Sequence, residues 1–534
     1  MKQRIFIDIN LGVGRLSCKD ERIPWKLEDL IKSMEYYRVH ASVAYSNVAL
    51  GYAFTKGNRE ILHNISTSER LYGMAVIVPN MKFELNEGNE YLSILINSGF
   101  KAFRVYPKFH NFEFAPFLLE SAAEIMTEKS IPLFVEIAQT DWKSLNEVLI
   151  AFKNLNIVLC GTKWSDNRNL FSLMDKHSNL HFEFSSNQAN GLLLTCKKHF
   201  GIERVLFGSD YPYKTMGALK SLVEYSELSE EDKDKIANKN AMKLLKISDV
   251  KPYRDSKCKL DEIALAIDEG RPIRNVLVID SHAHLIDSKD STVSLCPMLN
   301  GDSHNLKRKM DNLGIDKMIV SPIEGVFMNG FSANQTSLRA KLDYPDRIEA
   351  YATCNPLYEE DRRAVIEYHE NYKFIGLKPY YPSNKYDLLG EKYKEWFEYG
   401  NKNRLIMLVH SGSPEMAAKV NILSGMYSDM TFILAHSGKS YEAADTNIAV
   451  AKARNNVYLE ITYTTLTNGV IEYLVEHAGA DKMLFGTDMP MRDPAPQLAW
   501  VCYAKISVDE KKKILGGNMK KLIERCYSSD AASK

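Results

Sequence analysis

The chain has 534 residues, 45% hydrophobic and 25% charged, an ordinary globular composition too long for one core. Lys plus Arg and Asp plus Glu each number 68, so no bulk field favours nucleic acid or an anionic membrane. No apolar run approaches the roughly 18 residues of a membrane span, and Asp8 interrupts the N-terminus before a signal-type region develops. The eight cysteines include no Cys-x-x-Cys pair, and a reduced cytoplasmic protein fits that pattern best.

Short apolar runs separated by helical stretches form two series. The first predicts strands over 4–10, 42–50, 72–79, 101–107, 132–138, 157–161, 181–185 and 205–210. The second predicts strands over 276–284, 317–322, 348–356, 375–382, 405–410, 431–436, 457–462 and 483–488. The two series run in the same order with similar spacing. Ile5-Phe-Ile-Asp8 answers Leu277-Val-Ile-Asp280, and Ile131-Pro-Leu-Phe-Val-Glu136 answers Leu405-Ile-Met-Leu-Val-His410. The strongest match sets Val205-Leu-Phe-Gly-Ser-Asp-Tyr-Pro212 against Met483-Leu-Phe-Gly-Thr-Asp-Met-Pro490. The offset drifts slowly, as a duplication with small loop changes would make it.

Eight strand–helix units per half predict two tandem (β/α)8 TIM-type barrels. An open doubly wound sheet fits less well, because polar residues collect at strand C-termini around each whole series. The expected domains are a first barrel over 1–250 and a second over 276–534. Residues 251–275 are charged and carry Pro252 and Pro272; they read as a linker with a short helix over 260–269.

The second half carries the chemistry. His282 and His284 end the strand-one run, and side chains one residue apart on a strand face the same side. Two imidazoles so placed can grip a divalent metal. Lys378, His410, His436 and Asp488 end the fourth, fifth, sixth and eighth runs, and strand C-termini meet at a barrel mouth. Three or four N/O ligands with an open position describe a catalytic metal site.

In this set the C-terminal half resembles the amidohydrolase superfamily, in particular the branch of aminocarboxymuconate-semialdehyde decarboxylase and related lactonases and hydrolases. The resemblance covers nearly all of 276–523. It implies His282, His284, His410 and Asp488 around one divalent ion, with His436 beside the bound water or substrate. Zinc is the default for such a set, and manganese or iron fits similar geometry. His436 and Asp488 are then the expected catalytic residues, handling protons on a metal-activated water. In binuclear members a strand-four lysine is carboxylated and bridges two metals. Lys378 instead reads as a substrate contact, because its repeat partner, Arg104, cannot bridge. Tyr380, Ser411 and Arg492 are further candidates for substrate binding, and 329–334 reads as a mobile loop over the site.

The N-terminal half has Asn10 and Gly12 at the His-x-His positions, Glu136 for the strand-five histidine and Gly161 for His436. Only Asp210 of the set remains. It is expected to be a degenerate barrel, structural or regulatory, forming a pseudo-dimer within the chain; a homo-oligomer is compatible with this. Asp8, Glu136 and Asp210 could alternatively hold a hard ion through oxygens. The expected function is a metal-dependent hydrolase of a small, carboxylate-bearing amide, ester or lactone. A non-oxidative decarboxylase of an unsaturated or aromatic acid uses the same ligands and is the alternative. A non-catalytic metal- or ligand-binding protein is the third reading.

Overall fold

The computed structural model describes residues 4–16, 19–88, 90–250, 259–290, 292–328, 330–379 and 386–531. The chain divides into two compact units, Met1–Leu260 and Asp261–Lys534. The division falls inside the expected linker, whose short helix spans Glu262–Asp268 and belongs to the second unit. Residues 251–258 lie outside the described residues.

The first unit holds β1 (Ile7–Val13), β2 (Ala41–Ser46), β3 (Leu71–Val76), β4 (Ala102–Val105), β5 (Leu133–Glu136), β6 (Ile157–Cys160), β7 (Leu180–Glu183) and β8 (Val205–Leu206). The second holds β9 (Ile279–Leu285), β10 (Lys317–Pro322), β11 (Ile348–Cys354), β12 (Gly376–Pro379), β13 (Ile406–His410), β14 (Thr431–Ala435), β15 (Val457–Glu460) and β16 (Met483–Leu484). In each sheet the strands lie in sequence order, and every neighbouring pair is parallel. Helices connect them, and the first strand returns to the segment after the eighth. Ile9 N–H donates to Phe207 O at 3.1 Å and Gly12 N–H to Tyr211 O at 2.8 Å; Ser281 N–H donates to Phe485 O at 2.9 Å and His284 N–H to Met489 O at 2.6 Å. These are two tandem TIM barrels.

The strands form where predicted because parallel barrel strands are covered on both faces and read as continuous apolar runs. Thr431-Phe-Ile-Leu-Ala435 is buried throughout. The helices between them start on side-chain caps, such as Ser413 accepting from Met416 N–H and Ser440 accepting from Ala443 N–H. Each barrel is plugged at its strand N-terminal end. Ile279, Ile319, Tyr351, Ile406 and Ile433 pack on Met519 and Leu522 of the closing helix, and Ile7, Val43, Phe134 and Val158 pack with Ala241 and Leu245. Full burial of each such side chain contributes about 1.5–3 kcal/mol, and it leaves the opposite end as the mouth.

Within the expected loop over 329–334, the described residues from Gly330 onward are a helix start instead. Gly330 opens the helix Gly330–Asp343, with its N–H on Asp361 Oδ2 at 3.0 Å. Asn334 is buried, donating to Thr353 O at 2.9 Å and accepting from Thr353 N–H at 2.7 Å. An amide that completes the hydrogen bonding of β11 belongs to the scaffold and does not form a lid.

Candidate metal centre

β9 turns His282 and His284 into the mouth of the second barrel, as strand alternation requires. Their partner is Asp488, four residues beyond β16. Its Oδ1 lies 3.1 Å from His284 Nε2 and 3.6 Å from His282 Nε2. These three residues form one group able to hold a metal ion, and His282, His436 and Glu460 form another.

Each imidazole is oriented from behind. Nδ1 of His282 donates to Glu460 Oε2 at 3.0 Å, Nδ1 of His436 to Thr462 O at 2.7 Å, and Nδ1 of His284 lies 3.2 Å from Ser321 O. With Nδ1 carrying the proton, each Nε2 presents a lone pair to the mouth, the arrangement metal-binding histidines adopt. Burial holds His282 well below its ordinary range, helped by Lys378, and brings His436 down to about 3. Burial, with His436 beside it, also lowers His410. All three are neutral, the state in which imidazole ligates. Burial pushes Asp488 up, but Arg492 beside it outweighs this and holds the carboxylate well below its usual range. The donor set fits one divalent ion.

His410, at the end of β13, lies outside both three-residue groups. Its Nδ1 is 3.1 Å from His436 Nε2. Lys378 stands deeper than a rim contact, with Nζ 3.1 Å from His282 Nε2; burial brings its pKa down to about 8 against the pull of Asp488 and Glu460. Its amine thus already places positive charge against a ligand lone pair. Arg492 Nη1 lies 2.9 Å from Asp488 Oδ2, and its Nε and Nη1 are buried without a well-aligned hydrogen-bond acceptor. Ser411 turns away from the cluster. Its hydroxyl donates to Asn447 Oδ1 at 3.1 Å, and it lines a separate 110 Å³ cavity with Lys439 and Ser440. Tyr380 lies outside the described residues.

Sequence reasoning missed Glu460. Its carboxylate is fully buried at the end of β15 and accepts from Thr462 N–H (2.7 Å), the Thr462 hydroxyl, His436 N–H (3.2 Å) and His282. The available signal was a carboxylate closing the seventh apolar run in both halves, Glu183 and Glu460.

The sequence profile of the family described as Amidohydrolase matches residues 62–247 and 279–524. The chain belongs to the amidohydrolase family. No curated protein matches the sequence at a significant level. Among solved structures, it is similar to dihydroxybenzoic acid decarboxylase from Polaromonas sp., determined with manganese and 2-nitroresorcinol (16% identity, 47% of this chain and 97% of that one, TM-score 0.38). It is similar also to 2,6-dihydroxybenzoate decarboxylase from Rhizobium (15%, 47% and 99%, 0.38) and to a probable 2-pyrone-4,6-dicarboxylic acid hydrolase from Acinetobacter baumannii with citric acid bound (16%, 46% and 99%, 0.38). At these identities and scores, no chemistry passes from them to this chain.

The N-terminal amidohydrolase barrel keeps the supports of this site and replaces its ligands. Glu183 accepts from Gly161 N–H (3.0 Å), Ser185 N–H (2.5 Å), the Ser185 hydroxyl (3.0 Å) and Asn10 Nδ2 (3.4 Å). Asn10 stands at the His282 position. Arg104, fully buried, donates from Nη1 to Asn10 Oδ1 at 2.6 Å and from Nη2 to Glu136. Its guanidinium carbon lies 4.4 Å from the Tyr45 ring centroid and 5.0 Å from that of Tyr106. Asp210 pairs with Lys214 at 3.2 Å. Two of the three carboxylates read for a hard ion, Glu136 and Asp210, are therefore already paired with side-chain cations, Asp8 instead accepts from the Asn10 and Ser209 N–H groups, and among the described residues the three form no metal-type group. Cys160 is buried, and burial pushes its thiol well up, which leaves it inert.

Two outcomes follow. Glu460→Gln weakens divalent-metal binding by about 10–100-fold with the far-ultraviolet dichroism unchanged; unaltered affinity by competition with a chelating dye would remove Glu460 from the site. Arg104→Met destabilises the N-terminal unit by roughly 2–4 kcal/mol, because it leaves Asn10 and Glu136 facing each other without their cation. Denaturant unfolding followed by hydrogen exchange within residues 102–136 tests this, and an unshifted transition contradicts it.

Proposed function

We propose that the C-terminal barrel is a metal-dependent hydrolase of a small amide, ester or lactone that carries a carboxylate. The observation behind this reading is the convergence of His282 Nε2, His284 Nε2 and Asp488 Oδ1, with both histidines held from behind. His282, His284 and Asp488 would hold the ion, with His410 at the edge of the set. A bound divalent ion supplies Lewis-acid polarisation of the scissile carbonyl and lowers the pKa of water. Zinc suits the donors, and manganese or iron would also bind.

The proton work falls to His436. Its Nδ1 proton is committed to Thr462 O, so Nε2, which faces His410 Nδ1 at 3.1 Å, is the basic atom that can turn from His410 to take a proton from the attacking water and return it to the leaving group. Asp488 suits that task less well than the sequence suggests. Oδ1 faces the histidines and Oδ2 faces Arg492, so both oxygens are engaged in holding charge. Arg492 and Lys378 are the cations for a substrate carboxylate, and the unpaired Nε of Arg492 is the donor with most to gain. The N-terminal barrel contributes no chemistry in this reading and serves a structural or regulatory role.

The two cations also support a second reading. A carboxylate held between Lys378 and Arg492 lies next to the reacting centre, where a carboxy-lyase would need it, and such a reaction does not require Asp488 as a base. Products separate the two readings: a new carboxylate with an amine or alcohol marks hydrolysis, and carbon dioxide marks decarboxylation.

Metal analysis of protein purified without added metal or chelator is expected to give about one equivalent per chain, lost in His284→Ala. His436→Asn should retain the metal and lower kcat by about 10²–10⁴-fold. Two equivalents would revive a bridging role for Lys378. No metal after reloading would favour a binding protein.

A further inference from the structure

Tyr463 stands three residues beyond the end of β15, and its half-buried ring touches two groups of the proposed site. The ring centroid lies 5.6 Å from that of the His436 imidazole, edge to face at 67°. The guanidinium carbon of Arg492 sits over the same ring, 5.6 Å from its centroid. Both contacts fall within the reach of edge-to-face and cation–π attraction. Arg492 is also paired through Nη1 with Asp488 Oδ2. A guanidinium held by a carboxylate at one nitrogen and by a ring at its face has little freedom to turn.

Tyr463 is itself secured by a buried amide. Gln497, on the helix Pro494–Cys502, is fully buried. Its Oε1 accepts from Tyr463 N–H at 3.2 Å, and its Nε2 donates to Tyr463 O at 3.1 Å. An amide in the interior is costly unless both its ends are engaged, and here both ends are engaged on the backbone of one residue.

The first barrel shows what the fold requires without this arrangement. Residues 210–219 match 488–497 without a gap, and the helices Met216–Glu224 and Pro494–Cys502 start at the same place and have equal length. Lys214 stands at the Arg492 position, and Leu219, also fully buried, at that of Gln497. Counting from Glu183 and Glu460 puts Ser186 at the Tyr463 position. Ser186 Oγ still accepts from Lys214 Nζ, so the contact between these two loops persists. The ring and the amide that clamps it are missing from the half in which Gly161 replaces His436. Leucine therefore suffices for packing at this helix position, and the amide of Gln497 serves Tyr463.

We propose that Tyr463, clamped by Gln497, is a positioning residue for the substrate carboxylate: its ring fixes the Arg492 guanidinium against which that carboxylate binds. Tyr463 acts through Arg492 and takes no part in proton transfer. This rests on the reading of Lys378 and Arg492 given above.

The test uses the full chain loaded with zinc and two probes, benzoate and acetohydroxamate, with affinities from ligand-detected magnetic resonance. Acetohydroxamate chelates zinc and carries no carboxylate. Tyr463→Leu and Gln497→Leu should each weaken benzoate binding by about tenfold and leave acetohydroxamate unchanged. Tyr463→Phe, which keeps the ring, should bind benzoate like the parent. The double leucine variant should be no weaker than Tyr463→Leu alone, because Gln497 acts through Tyr463. Dichroism and zinc content establish that each variant is folded and loaded. Benzoate binding by Tyr463→Leu equal to that of the parent overturns the proposal, as do equal losses for the two probes or additive losses in the double variant. If the parent binds acetohydroxamate but not benzoate, the carboxylate reading of Lys378 and Arg492 fails and the positioning role falls with it. If benzoate binds the parent and the variants alike, the positioning role alone fails.

Discussion

The mouth of the C-terminal barrel depends on one buried carboxylate. Removing a carboxylate from water costs several kcal/mol unless its oxygens are fully engaged, and burial raises the pKa of Glu460. Four donors offset that cost: Thr462 twice, the His436 backbone and the His282 ring. They come from the ends of strands one, six and seven, so satisfying Glu460 brings those three ends into one geometry. Gly486 makes this possible, because a side chain there would have its Cβ 2.5 Å from Glu460 Oε1 and 2.8 Å from His282 Cβ. The Leu-Phe-Gly-Thr-Asp run thus combines the close approach, through its glycine, with the carboxylate that faces the histidines.

The N-terminal barrel separates this support from the chemistry it serves. Glu183 makes the corresponding four contacts although no histidine depends on it. The support persists because it closes the barrel, and a buried carboxylate stripped of its donors would be costly in either half. The ligand positions are freer to change. His436 has φ +64°, a left-handed backbone that is unfavourable for a histidine, whereas Gly161 adopts φ +71° at the same place without a Cβ penalty. Once no imidazole has to be presented there, glycine is the cheaper residue. Asp488 and Asp210, at φ +58° and +59°, keep the same backbone.

Much of this was legible in the sequence, for identifiable reasons. Strands covered on both faces show as apolar runs, so all sixteen were found in order. Their ends were overextended where polar site residues follow directly: 205–210 and 483–488 shrink to the two-residue strands Val205–Leu206 and Met483–Leu484, because Asp210 and Asp488 leave the extended backbone for the left-handed region and their carbonyls accept from Tyr213 N–H and Met491 N–H. The histidines were legible because an imidazole at the end of an apolar run is unusual, and several in barrel order are more so. Glu460 was not, because a lone carboxylate at a strand end looks like an ordinary cap. The engagement of Asp488 by Arg492 and the turning of Ser411 towards Asn447 depend on side-chain direction, which residue spacing does not encode. Gly330 and its polar neighbours read as a loop because the acceptors that make them a helix start, Asp361 and β11, lie elsewhere in the chain.

Besides the exchanged ligands, the two barrels differ in the cation at strand four. Lys378 and Arg104 occupy the same repeat position, and each reaches the strand-one residue that is His282 in one half and Asn10 in the other. Lysine is a point charge on a flexible stem. An arriving divalent ion can therefore push the ammonium off the His282 lone pair and leave it to face a substrate. Arginine cannot be neutralised and forms several directed contacts at once. Arg104 uses them on Asn10 and Glu136 between two tyrosine rings, which makes it a permanent internal cation. Restoring histidines at positions 10, 12 and 136 would not by itself rebuild a metal site, because the guanidinium would still occupy the space the ion needs.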